Sequence, residues 1–183
     1  MKLIQIIGVS AAFAMVACGS NNSASTTDTT AAATDTTAKM APSTAAEQDF
    51  INYAVPANTK EIIWIKAGIK EGHNRELRSD AKMMLKDHEQ LGSTVSAYLD
   101  AHKSFAVPTV DTANVVNIND KKGADWDKAW VDKMIDDHSG LLDKLKKSQT
   151  DVKDTAMLAI ITGAIPVVQS HLTMVNDLKA KLK

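Results

Sequence analysis

With 183 residues and a formal charge of −1, from 21 Lys and Arg against 22 Asp and Glu, the chain has room for one domain but no basic surplus to bind nucleic acid. Its single cysteine excludes an intramolecular disulfide framework. The sequence shows no Ser-His-Asp arrangement, glycine-rich phosphate loop or CxxC pair, so it leans away from an enzyme.

Residues 1–17 read as a secretory signal. Lys2 precedes an apolar run from Leu3 to Val16, broken by Gln5, Gly8 and Ser10, which is too short and interrupted for a comfortable membrane span. The run ends in Met15-Val16-Ala17-Cys18-Gly19, which resembles a bacterial lipoprotein signal in which the cysteine is lipidated; Met15 stands where such signals usually carry Leu. Cys18 is therefore expected to anchor the chain to a membrane of the cell envelope, facing the periplasm. Gly19, in place of the aspartate associated with inner-membrane retention, favours the outer membrane. Residues 18–44 are almost entirely Ser, Thr, Ala, Asn and Asp and read as a disordered tether with no apolar period to bury.

Residues 45–183 carry four helical patterns. The first runs from about Glu47 to Lys70, with Phe50, Ala54, Ala57, Glu61, Trp64 and Gly68 on one face. Pro56 should kink or restart it, and Gly72 should close it. The second begins after a predicted N-cap at Asn74 and runs to about His102, with Leu77, Ala81, Met84, His88, Leu91, Val95, Tyr98 and His102 at heptad spacing. The third spans about Asp125 to Ser148, with Trp130, Val131, Met134, His138, Leu141 and Leu145 facing inward. Trp126 and Trp130, one turn apart, are expected to anchor it in the core. The fourth runs from about Asp151 to Leu182 through Met157, Ile160, Ala164, Val167, His171, Met174, Leu178 and Leu182, with a bend expected at Pro166. The only β-like stretch, Phe105 to Ile118, lies in the long link between the second and third patterns. The predicted fold is all-α: a ferritin-like four-helix bundle with one long crossover between helices two and three.

Two segments nearly repeat each other: Met84-Leu85-Lys86-Asp87-His88-Glu89-Gln90-Leu91 and Met134-Ile135-Asp136-Asp137-His138-Ser139-Gly140-Leu141. They suggest two helical hairpins related by an approximate two-fold axis. Each of the four apolar stripes also contains one ionisable residue: Glu61, His88, His138 and His171. A buried imidazole needs partners, so this layer has three readings. One is a transition-metal site for Cu, Fe, Zn or Mn, with Glu61, His88, His138 and His171 as ligands and Asp87 and Asp137 in support; Met84, Met134 and Met174 could add thioethers favouring copper. The second is a structural network that only fixes helix register, in a non-enzymatic envelope protein that contacts a partner. The third is a protonation switch. A di-iron oxidase is disfavoured because Leu85 and Ile135, not glutamates, stand three residues before His88 and His138. His73 is expected to be exposed, and His102 to end the second stripe.

Met84-x-x-Asp87-His88, Trp126-Asp127-x-x-Trp130-Val131-x-x-Met134-x-x-Asp137-His138 and Pro166-x-x-x-x-His171-Leu172 together resemble the "domain of unknown function 4142" family, over about residues 47 to 182. The resemblance implies a small exported bacterial protein with a ferritin-like bundle, and no established reaction. It marks both Asp-His pairs and His171 as motif positions. Where members often carry a glycine-rich segment in the first helix, this chain has Val55-Pro56-Ala57-Asn58.

Overall fold

The four predicted helices form, as α1 (Ala45–Glu71), α2 (Arg75–Ala101), α3 (Gly123–Asp151) and α4 (Thr155–Lys181). The computed structural model describes residues 45–182; the expected signal, Cys18 and the tether lie outside the described residues. The Asn74 side chain accepts from the backbone N–H groups of Glu76 and Leu77, capping α2 as expected. The fourth helix starts later than its periodicity suggests, because the Asp154 carboxylate accepts from Met157 N at 2.7 Å and sets the boundary there. Helices α1 and α4 run on through Pro56 and Pro166 without restarting. Each proline frees the carbonyl four residues earlier; these belong to Asn52 and Thr162, both exposed, where water can replace the lost bond. No strand occurs among the described residues, and Phe105–Ile118 is irregular chain.

Helices α1 and α2 form one hairpin and α3 and α4 the other, with α1 packed on α3 and α2 on α4. Helices α2 and α3 therefore face each other across a diagonal, which is why the link between them must be long. Residues 102–122 leave α2 beside the start of α1, where Gln48 exchanges hydrogen bonds of 2.8 and 2.9 Å with the Ala106 backbone. They end where Val115, Val116 and Ile118 pack near Trp126.

Two buried carboxylates lock the hairpin ends reciprocally. Glu47 of α1 accepts from the Lys153 and Asp154 N–H groups in the α3–α4 turn, and Asp127 of α3 accepts from His73 and Asn74 N–H in the α1–α2 turn. This two-fold correspondence pairs α1 with α3 and α2 with α4. The sequence near-repeat relates α2 to α3 instead, so it is not the structural repeat. It reflects a shared task at the bundle centre.

The core divides into two apolar clusters. Phe50, Ile51, Tyr98, Leu145, Met157 and Ile161 belong to one, and Trp64, Leu77, Met84, Trp130, Met134 and Val175 to the other. Trp126 and Trp130 are both buried, and Trp130 donates its indole N–H to the Trp64 carbonyl at 2.8 Å. That contact is possible because Gly68 has no side chain: a Cβ there would lie 2.6 Å from the Trp130 ring. In α4 the inward residues are Ile161, Val168 and Val175, one position on from the predicted Ile160, Val167 and Met174. His171 holds its predicted inward position.

Candidate metal centre

Heptad spacing carries His88 inward one turn after Met84 on α2, and His138 one turn after Met134 on α3. His171 points in from α4 between Val168 and Val175. The three rings are 2 %, 1 % and 2 % exposed, and one nitrogen from each lies within 4.8 Å of the others. His88 and His171 stack with centroids 5.4 Å apart, while His138 stands edge-on to both.

The surroundings fix each ring's tautomer. His138 Nδ1 lies 2.8 Å from the Met134 carbonyl; a carbonyl only accepts, so Nδ1 carries the proton and Nε2 a bare lone pair. His171 Nε2 donates to Asp87 Oδ2 at 3.0 Å, leaving Nδ1 bare. Asn58 donates through Nδ2 to the His88 carbonyl at 3.1 Å, which turns Oδ1 toward His88 Nδ1 at 2.9 Å and places that ring's proton there. His88 Nε2 is then buried without a partner. His138 Nε2 and His171 Nδ1 approach each other to 3.3 Å, and in the tautomers just described both present lone pairs there.

Burial keeps His88 and His138 neutral. Desolvation, with His138 and His171 nearby, holds His88 down to about 3; desolvation, with His171, holds His138 down to about 4. Protonation of His88 or His138 at neutral pH therefore does not relieve the clustered lone pairs. A metal cation does, and the 3.3 Å between His138 and His171 suits one: two imidazoles ligating tetrahedrally at about 2.0–2.1 Å bring their nitrogens about 3.3 Å apart. The donor set is three imidazoles whose other nitrogens are anchored by Asn58, Met134 and Asp87, the arrangement that holds metal-binding histidines in place.

Glu61 is buried but stands behind His138. Its Oε1 lies 3.3 Å from His138 Nδ1, the nitrogen already engaged by Met134, and makes no hydrogen bond. The structure thus gathers three histidines where four ligands were expected, and sets Glu61 outside the nitrogen focus. Burial first, then the neighbouring Asp137, raises the Glu61 carboxyl well above the usual range. Asp87 braces His171, whereas Asp137 is ion-paired with Lys133 on the same helix. Met84 and Met134 lie inside the apolar cluster and Met174 packs against its edge; all three fill space there. His73 is exposed, and His102 stacks on Tyr98 away from the centre.

Two openings reach the cluster from opposite sides. A cleft of about 410 Å³ between α1 and α3, bordered by Asp111 and Asn114 of the crossover, reaches His88 and His138. A groove of about 430 Å³ between α2 and α4 reaches His88 and His171 and is mostly apolar. The sequence reading missed Asn58 and Gly92, which together place His88. A Cβ at Gly92 would come within 2.9 Å of Asn58 Nδ2, so glycine leaves room for the amide to reach the α2 backbone. The only available signal was an asparagine inside a helix, where that residue is unfavourable without a partner.

A family model described as Domain of unknown function (DUF4142) matches residues 29–178. The chain belongs to the DUF4142 family. The matched region contains all three histidines and both Asp-His pairs. No curated protein matches this DUF4142 chain. Among solved structures it is similar to one titled "CopM in the Ag-bound form (by soaking)", with 15% identity over 73% of this chain and 95% of that one, and a TM-score of 0.61. At that identity the likeness shows the shared four-helix fold.

Proposed function

We propose that this protein binds one transition-metal ion through His88, His138 and His171. The observation that carries the reading is three buried ring nitrogens brought within 4.8 Å of one another, the opposite nitrogen of each ring being held by Asn58, Met134 or Asp87. Imidazole suits Cu, Zn, Fe and Ni, and within the divalent series copper binds a nitrogen site most tightly. The triad has no sulfur donor, since the neighbouring methionines belong to the apolar core. Silver bound to CopM, on a similar fold, supports the same chemistry.

We place this binding bundle, residues 45–183, at the cell envelope. Cys18 carries the lipid anchor, residues 18–44 form the tether, and the outer membrane is the favoured location. Elemental analysis of chain purified without chelator tests the site: one ion per chain is expected, and none in a His88→Ala/His138→Ala variant. Equal metal content in the two proteins refutes the proposal. The competing reading, a polar layer that only fixes register, predicts no change in thermal stability on chelation. A metal held only by the folded state raises stability. His88 Nε2, buried without a hydrogen-bond partner, counts against that competing reading, because a structural network would satisfy it.

A further inference from the structure

The two openings differ in what they offer a cation. The α2–α4 groove is lined by Leu91, Ile160, Ala164, Val167 and Val168, and its one carboxylate, Asp87, is engaged by His171. A hydrated divalent ion would have to lose its water there with only the neutral Gln90 and Thr94 and the engaged Asp87 to replace it. The α1–α3 cleft carries the carboxyls of Glu61, Asp111, Asp136 and Asp137, alongside Lys60 and Lys133. At its inner end, Glu61 Oε1 is buried without a hydrogen bond, directly beside His138. Lys133 occupies the neighbouring oxygens: its ammonium pairs with both Asp137 oxygens and lies 5.8 Å from the centroid of the Trp64 ring.

We infer that the α1–α3 cleft is the way in for a hydrated divalent cation, and that Glu61 and Asp137 form an oxygen-donor station from which the ion passes to the three imidazoles. Lys133 holds this station closed in the metal-free protein. The inference rests on the metal-binding reading and adds its route, its first ligands and the charge class of its cargo. An arriving divalent ion outcompetes a single ammonium for two adjacent carboxylates. Water given up at the inner end of the cleft is replaced first by carboxylate oxygen and then by imidazole nitrogen. Asp111 and Asp136, at the outer part of the cleft, add the negative field that draws cations toward it.

The test is the rate of Zn(II) uptake by the full chain, followed by stopped flow against a chromogenic chelator, with the final stoichiometry read separately. Glu61→Gln cannot give up a proton and ligate the ion as a carboxylate, and should slow loading by about tenfold. Lys133→Met should speed loading severalfold, a gain that misfolding does not produce. Gly163→Leu places a side chain in the α2–α4 groove, where a Cβ meets nothing within 4 Å, and should leave the rate unchanged. Slower loading in Gly163→Leu, or an unchanged rate in both Glu61→Gln and Lys133→Met, overturns the route while leaving the site intact. Wild-type chain that takes up no zinc, copper or other transition ion at equilibrium overturns the metal-binding reading, and the route with it.

Discussion

Replacing Gly92 with Ala separates stability from affinity at this site. The new Cβ would stand 2.9 Å from Asn58 Nδ2, closer than such contacts allow, so the amide must withdraw. It cannot do so without stretching both its bonds to His88, now 3.1 and 2.9 Å. Leaving the buried His88 Nδ1–H without an acceptor costs about 1–3 kcal/mol. Alanine in place of glycine inside a helix returns about 1 kcal/mol. The variant should therefore fold with a net loss of about 0–2 kcal/mol. Its metal affinity should fall much further, by about 10–100-fold, the usual effect of removing the group that orients a ligating histidine. Without Asn58 the ring can move its proton to Nε2 and lose its lone pair for the metal. Chelator-competition titration with Zn(II) measures affinity, and urea unfolding of the metal-free chain measures stability. Asn58→Leu should show the same loss of affinity without the helix gain. A Gly92→Ala protein more stable by about 1 kcal/mol with unchanged affinity would refute this account, because Asn58 would then not hold His88.

Below pH 6.5 unfolded chain protonates His88, while the folded protein refuses that proton until about pH 3, so stability present above 6.5 is lost as pH falls. Between pH 7 and 5, with chelator present, wild type should lose about 2 kcal/mol more than His88→Gln in urea unfolding. Comparing the two proteins removes most of the parallel contribution of His138 and the opposite one of Glu61, whose raised carboxyl favours the folded state as pH falls. Equal slopes would show that His88 is not held neutral. Gly68→Ala drives a methyl into the Trp130 ring and should destabilise by about 1–3 kcal/mol, read as a lower urea midpoint at unchanged m. Asp127→Ala removes the acceptor for His73 and Asn74 N–H and should cost about 1–3 kcal/mol in the same assay, whereas a change below 0.5 kcal/mol would deny it the role of turn lock.

The number and extent of the helices were legible because each apolar stripe must face a core, and heptad spacing survives any arrangement of neighbours. Asn74 could be read as a cap for the same local reason. The α4 stripe went wrong by one residue because Ile160-Ile161, Val167-Val168 and Met174-Val175 each offer two adjacent apolar side chains. Composition cannot choose between them; contact with α2 and α3 does. The near-repeat around His88 and His138 was visible but misleading about symmetry, since it lies on helices that face each other across the diagonal.

At the candidate site, one-dimensional spacing identified His88, His138 and His171 as inward residues, because helical period alone decides which side of a rod a residue occupies. It could not set their depth, the direction of each ring or the place of each proton. Those depend on Asn58, the Met134 carbonyl and Asp87, two of them on other helices from the rings they hold. Glu61 shows the same limit. Its stripe position was right, but the packing of α1 against α3 put its carboxyl behind His138 and on the wall of a cleft. Periodicity within each helix thus follows from the local chain, whereas the convergence of three imidazoles depends on how four separate helices pack.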